Sequence, residues 1–322
     1  MIQTEFLAGQ GLGNQLWVYA ATRGISEHLG RTHVVTGRDV FKAHGVLELD
    51  WGDAETLNEG PIIPFHEELF HDTELGYLAS DFDARVTALP PRCRINGLMQ
   101  SENYFFGRLD NLSRWIRTAE PIQRRAEDFA ERVVLNLRGG EYKRHKNLVL
   151  PKTYWQHAMR HLTEMTSETS FLVVTDDPAY ARAMFPGFEV VSGIADSWAA
   201  LHGARALAVS NSSFSYFPIK TRDDNPLVIA PFLWARPANA ESRWASPANF
   251  YSNWRWLDMD GNFVNSDDCA KILAKTRSHY QSYNIRVPQD YSLGQPATRY
   301  IPAWVKRPIK RMLGHLLPTK IG

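Results

Sequence analysis

The chain has 322 residues, 44% of them hydrophobic and 22% charged, which is room for one large domain or two ordinary ones, with ample material for cores. Its formal net charge of +1 supplies no global field that would select nucleic acid or an acidic partner. Cys93 and Cys269, the only cysteines, are too few and too far apart in sequence for a disulfide framework or a zinc site, which reads as a reducing, cytosolic setting.

In chain order, residues 1–8 read as a short strand that carries Glu5 and runs directly into a glycine turn, a pattern unlike a signal peptide. From Asn14, apolar Leu16, Tyr19, Ala20, Ile25 and Leu29 recur at helical spacing until Gly30 stops the helix. Residues 32–36 form a second strand, so the chain opens with a βαβ unit and a parallel sheet. Loops rich in Asp, Glu and Pro follow, then a strand entering a short helix (92–105) and a helix over 118–131. The second half alternates again. It has strands over 132–142, 170–178, 188–191, 207–217 and 226–235, and helices over 151–165, 179–185 and 197–206, with Pro151 in a first turn. The longest apolar run, 227–235, contains Pro231 and falls far short of the roughly 20 residues needed to span a bilayer. The pattern predicts an α/β chain of two Rossmann-like domains, residues 1–125 and 126–300, meeting around a cleft, with a tail over 301–322. In such sheets, ligands bind where the strands end.

The strand ends carry the polar chemistry. "GQGLGNQ" places Gly9, Gly11 and Gly13 ahead of the first helix, with the side-chain amides of Asn14 and Gln15 at its positive end. Backbone N–H groups there suit an anion, but the spacing is neither a P-loop nor a dinucleotide fingerprint, even with Asp39 as a ribose partner. A phosphate cradle and a bare tight turn both remain open. "NLRGGEY" sets Asn136 and Arg138 at the end of a buried strand, where a guanidinium suits a diphosphate and a structural ion pair is the alternative. The basic loop after it (Lys143, Arg144, His145, Lys146) reads as a solvated face or a phosphate contact. Asp176 and Asp177 in "TDDP" suit a ribose, a guanine edge or a metal, and equally a helix cap before Pro178. Asn211, Ser212, Ser213 and Phe214 in "SNSSF" suit phosphate, or again a cap. Asp258 and Asp260 match the D-x-D of some sugar transferases, but the Asp260-Gly261 pair marks a surface turn. Ten tryptophans and twelve tyrosines provide sugar-stacking surfaces, although core packing is their commoner use. Residues 304–318 mix Lys306, Arg307, Lys310 and Arg311 with Trp304, Ile309 and Leu313, as in a basic amphipathic helix on an anionic membrane or one packed on the protein body.

Taken together and in order, these stretches resemble the bacterial α-1,2-fucosyltransferases, glycosyltransferase family 11. "GQGLGNQ" is similar to that family's "GGLGNQ", "GLMQSENYF" to "GFQSEKYF", "NLRGGEY" to "HxRRGDY", "TDDP" to "SDD" and "SNSSFSYF" to "ANSSFSWW". The five matches are collinear and cover about two thirds of the chain. The resemblance implies a GT-B fold and an inverting, metal-independent transfer of L-fucose from GDP-fucose to a glycan hydroxyl in surface polysaccharide or glycolipid synthesis. It implies Arg138 on the β-phosphate, Asp176 or Asp177 on guanine or ribose, and Ser212, Ser213 and Phe214 on the phosphates. Gly11, Gly13, Asn14 and Gln15 would close from the other domain, and Glu102 is either a candidate base on the acceptor side or a helix-start cap in "QSENYF". The cysteine usage, the near-neutral charge and the basic tail add the expectation of a cytoplasmic protein, peripheral on the inner face of the membrane, acting without nucleic acid. Two positions depart: Asn136 stands where the family has histidine, and Gly139 where it has a second arginine, a loss for which Lys143 or Arg144 would compensate. Those departures leave open another nucleotide sugar as donor, or an inactive nucleotide- or sugar-binding homologue.

Overall fold

The computed structural model describes residues 1–72, 77–144, 148–232, 250–251 and 253–282. The tail expected over 304–318, and His145 and Lys146 of the basic loop, lie outside them. The elements are β1 (Ile2–Glu5), α1 (Leu12–His28), β2 (His33–Thr36), β3 (Leu47–Leu49), β4 (Ile63–His66), β5 (Leu69–Asp72), β6 (Tyr77–Ser80), β7 (Cys93–Asn96), α2 (Leu112–Trp115), β8 (Ile116–Thr118) and α3 (Glu120–Glu127). They continue with β9 (Val133–Leu137), α4 (Lys152–Thr166), β10 (Phe171–Thr175), α5 (Pro178–Met184), β11 (Glu189–Val191), α6 (Ile194–Gly203) and β12 (Ala206–Val209). The last are α7 (Ser213–Lys220), β13 (Leu227–Pro231), β14 (Arg255–Leu257), β15 (Phe263–Val264) and α8 (Ser266–Ser282).

Two sheets organise the chain. The first is all parallel, in the order β2-β1-β7-β4. The second runs β11-β10-β9-β12-β13-β14-β15, parallel except for its last pair. Strands β9, β10 and β12 are buried on both faces, which is why they read as unbroken apolar runs rather than alternations. The second sheet winds outward from β9 through β10 to β11, then returns to start β12 on the other side of β9. Its switch point therefore lies between β9 and β12. The first sheet switches in the same way between β1 and β7. A switch point is where neighbouring loops leave in opposite directions and a crevice opens.

Helix α1 ends as its sequence predicts. Gly30 adopts φ +63°, its N–H meets Glu27 O at 3.4 Å, and the N–H of Arg31 donates to Ser26 O at 2.8 Å, a Schellman closure. Two segments differ from their sequence pattern. The helix expected over 118–131 is preceded by β8, which pairs antiparallel with β3, and α3 spans only Glu120–Glu127. The polar turn expected after β12 is helix α7, which carries Pro218 inside it.

One apolar core runs through both sheets. The Trp17 ring of α1 stacks on Phe105 at 5.7 Å and meets Tyr216 and Phe217 of α7 at 4.3 and 5.2 Å. A second cluster lies under α4, where Tyr154, Trp155 and Leu162 cover β9, and Tyr154 Oη donates to Val209 O at 3.0 Å. Aromatic side chains among the described residues thus serve packing first: Trp17, Trp115, Trp155 and Trp198 are fully buried.

Candidate active site: a cleft at two switch points

A cleft of about 1040 Å³ opens where the ends of β1 and β7 face the ends of β9, β10 and β12. It is a size suited to a nucleotide with room for a second substrate. Of the residues singled out from the sequence, Gly11, Gly13, Asn14, Asn136, Arg138, Asp176, Asn211, Ser212, Ser213 and Phe214 line it.

Arg138 leaves β9 at the switch point. One guanidinium nitrogen pairs with Asp176 at 2.8 Å and another with Glu141 at 3.0 Å, while the group lies 5.3 Å from the Tyr142 ring centroid. Its buried Nε has no partner. Asp176 also accepts from the N–H of Gly139 at 2.9 Å, so it orients the arginine and the glycine turn together. The two glycines are here for close packing. A Cβ on Gly140 would lie 2.2 Å from the Asp176 carboxylate, and one on Gly139 would lie 2.8 Å from the Asp177 side chain. The space that a side chain at position 139 would need is thus filled by Asp177 and Tyr180. Lys143, expected as a substitute cation, is bound to Asp177 and lies 5.6 Å from the Tyr180 ring centroid.

Beside Arg138, the side-chain amides of Asn136 and Asn211 are buried, with polar atoms left over. Asn136 Nδ2 donates weakly to Val174 O at 3.5 Å, but its Oδ1 has no partner. Neither Oδ1 nor Nδ2 of Asn211 has one. An unsatisfied buried polar atom costs about 1–3 kcal/mol, so three together at a cleft wall suit a polar ligand that completes them.

Helix N-termini supply the field. α1 and α7 both begin at the cleft, and neither has an acidic residue in its first turn. They meet closely: a Cβ on Gly13 would lie 2.5 Å from Ser213 C and 2.6 Å from Phe214 N. Two positive helix ends in contact repel each other, and an anion between them relieves this. Asn14 spans the junction, its Oδ1 accepting from Ser213 Oγ at 3.0 Å and from Gln100 Nε2 at 2.9 Å. Gly13 thus serves helix–helix approach. Gly11, where an added Cβ would meet nothing within 4 Å, leaves the turn open to a ligand. A third helix start, Gly193 and Ile194 of α6, also lines the cleft.

Three expected residues stand elsewhere. Gln15 is fully buried, donating to Val40 O at 2.9 Å and accepting from the N–H of Lys42 at 3.1 Å, because it anchors the loop after β2. Asp177 caps α5 through the N–H of Tyr180 at 3.1 Å, and its bond to Lys143 holds its carboxyl below the usual range. Glu102, the candidate base, accepts from Tyr216 Oη at 2.8 Å and sits 3.4 Å from Lys220 Nζ. It is not a lining residue of the cleft, and it joins the turn after β7 to α7. Ser212 lines the cleft while its Oγ caps α7 by accepting from the N–H of Phe214 at 3.4 Å. Asp258 is the turn its sequence suggests, accepting from the N–H groups of Asp260 at 3.0 Å and Asn262 at 2.8 Å.

The sequence pattern does not single out Lys42, Gln100, Thr175 or Ser197, which also line the cleft. Gln100 sits inside the stretch "GLMQSENYF", so a signal for it exists. Lys42 carries none, because only the fold brings the loop after β2 to the cleft. Behind the wall, Glu67 is buried, and its carboxyl is pushed up to about 7, first by desolvation. Its folded value stands above the unfolded one. Stability from this group is therefore whole below pH 4.5 and falls as pH rises through 7, by on the order of 3 kcal/mol. Thermal melts of Glu67→Gln should lack that fall between pH 5 and 8; an unaltered fall would assign it to another group.

No protein-family model matches the chain, and no curated protein sequence does. Solved structures do. It is similar to POFUT1 in complex with GDP-fucose at 12% identity and a TM-score of 0.43, covering 70% of this chain and 95% of that one. It is similar to NodZ α-1,6-fucosyltransferase soaked with GDP-fucose at 13% identity and a TM-score of 0.42, covering 73% and 96%. The fucosyltransferase NodZ from Bradyrhizobium matches at 13% identity and a TM-score of 0.40, covering 67% and 91%.

Proposed function

We propose that the protein is a glycosyltransferase that binds a nucleotide-diphosphate sugar in this cleft and passes the sugar, with inversion, to a glycan hydroxyl. The observation that carries the reading is Arg138 at the switch point of the second sheet, beside two buried asparagines with unpartnered atoms and opposite the abutting starts of α1 and α7. An incoming diphosphate exchanges for Glu141 on the guanidinium and sits in the field of the helix ends. During transfer, the acceptor oxygen forms a bond to the anomeric carbon and releases its proton to the departing diphosphate or to solvent, while the carbon–oxygen bond to the diphosphate breaks. Arg138 and the helix ends then stabilise the negative charge that gathers on the leaving group. The amides of Asn136 and Asn211 complete their hydrogen bonds on the nucleotide.

The motif resemblance names the donor as GDP-fucose, the linkage as α-1,2 and the acceptor as a surface polysaccharide or glycolipid glycan. We extend the proposal to these, with protein cations taking the place of a metal. A thermal-shift comparison tests it: GDP and GDP-fucose should raise the melting temperature by several degrees, and NAD should not. Transfer to a fucose-accepting glycan should persist in EDTA. A response to NAD equal to that to GDP would overturn the nucleotide-sugar reading, and strict Mn²⁺ dependence would overturn the metal-free one.

A further inference from the structure

Buried carboxylates are costly unless they are fully hydrogen-bonded, and buried Glu67 has three donors on its two oxygens. It follows β4 directly and is 5% exposed. One carboxylate oxygen accepts the N–H of Leu98 at 2.6 Å and that of Met99 at 2.8 Å. The other accepts Tyr104 Oη at 2.8 Å. These bonds reach the loop that leaves β7. A Cβ on Gly97 would lie 2.5 Å from both Glu67 Cβ and Oε2, so the carboxylate is seated against bare backbone. Met99 adopts φ +52°, a left-handed conformation that a non-glycine residue holds only when its surroundings impose it. Glu67 imposes it by gathering two successive N–H groups.

The same loop meets the cleft. Gly97, Leu98 and Gln100 line it, and Gln100 Nε2 donates to Asn14 Oδ1, which also takes Ser213 Oγ. An unbroken path therefore runs from a buried carboxylate on the first sheet, through a strained loop, to the amide at the junction of α1 and α7. We propose that Glu67 is a positioning residue, which holds the Gly97 to Gln100 loop and, through Gln100, Asn14 in the shape that receives the acceptor. This rests on the transferase reading above. It assigns the loop to the acceptor because Gly97, Leu98 and Gln100 stand on the first sheet's side of the cleft, away from the donor's anchors Arg138, Asn136 and Asn211, while Asn14 at the junction of α1 and α7 borders both substrates.

Other ionisable groups facing Glu67 are accounted for. Tyr104 Oη, which donates to it, accepts in turn from the N–H of Asp83 at 3.0 Å. The Asp83 carboxylate is held by Arg85 Nε at 2.9 Å and Nη2 at 2.5 Å. Asp81 contributes its carbonyl to Tyr104 at 3.3 Å, and His66 its carbonyl to Arg85 at 3.0 Å. The N–H of Glu68 donates to Asp83 at 3.1 Å. Glu67 is the group on this path whose charge changes near neutral pH, for desolvation sets its carboxyl at about 7.

The test is steady-state transfer from GDP-fucose to a fucose-accepting glycan by the wild type and Glu67→Gln, from pH 6 to 8. In the wild type the acceptor KM should rise as pH falls through 7, where protonation turns the charge-assisted bonds to both amides into weaker neutral ones. In Glu67→Gln the acceptor KM should be raised about tenfold at pH 8 and be flat with pH, with the donor KM raised by much less. An unchanged acceptor KM and pH profile in a folded Glu67→Gln would overturn the inference and leave the transferase reading standing. Should that variant fail to fold, Gln100→Ala breaks only the last link: it should raise the acceptor KM at wild-type stability, and an unaltered KM would overturn the inference. A wild type that binds GDP but transfers nothing would remove the transferase reading. The hold on the loop is then read from hydrogen exchange of the Leu98 and Met99 amides, which must accelerate in Glu67→Gln or the inference fails too.

Discussion

Arg138→Ala should fold as the wild type does and lose transfer by about 10³-fold in kcat. The size follows from what the guanidinium does at the end of β9. It is 28% exposed on a cleft wall, so truncation opens no core cavity and should cost little stability. Yet among the described lining residues of the second sheet it is the sole basic side chain, and Lys143 beside it is spent on Asp177. Removing it leaves the departing diphosphate with helix ends alone and leaves Asp176 and Glu141 facing the anion unneutralised. Arg138→Lys should recover only part of the loss, because an ammonium cannot hold Asp176 and the phosphate together in one fork. Stopped assays of kcat at saturating donor, with melting curves alongside, measure both sides. Near-wild-type turnover in Arg138→Ala would remove this residue from the mechanism.

Gly13→Ala should damage both the fold and the cleft. The added carbon would stand 2.5 Å from Ser213 C and 2.6 Å from Phe214 N, and neither backbone atom can swing aside. The starts of α1 and α7 must therefore separate, which strains the Asn14 to Ser213 bond and the contact of Trp17 with Tyr216. Overpacking of this kind costs about 1–3 kcal/mol, and here the damage falls on the site itself. GDP affinity should drop along with the melting temperature. Gly11→Ala is the internal control for folding, since its added methyl meets nothing within 4 Å and its φ of −66° suits any residue. Equal melting temperatures for the two variants would refute the contact argument.

What is legible in the sequence follows from where each signal resides. Runs such as "RVVLNL" and "SFLVVT" are strands buried on both faces, and the unbroken apolar run finds them, although the expected ends at 142 and 178 overrun the observed ones at Leu137 and Thr175. Polar residues directly after such strands stand out because the strand end itself is the signal. The hairpin of β5 and β6 and the antiparallel β3–β8 pair leave no comparable mark, as their partners lie in irregular stretches. The role of Gly13 is half legible. A missing side chain signals close approach, but only the fold shows that another helix approaches. Gln15, Asp177 and Glu102 are polar residues in suggestive places whose tertiary partners take them out of the cleft. Conversely, Glu67 sits in an unremarkable stretch, and its importance lies in backbone amides 31 and 32 residues away in sequence.

The seam between α1 and α7 has a consequence for how the molecule moves. Trp17, Tyr216 and Phe217 are fully buried there, and the glycine contact leaves no slack between the two backbones. A joint packed with large interlocked rings does not swing as a hinge, because opening it would wet them all at once. Access to the cleft is therefore governed by its rim: the turn at Gly9 and the 3₁₀ segment Gly140–Arg144, each short and holding no buried side chain. Substrates enter a groove whose floor is rigid and whose edges yield, so selectivity among acceptors is written in the rim, and changing the rim retunes it without loosening the floor.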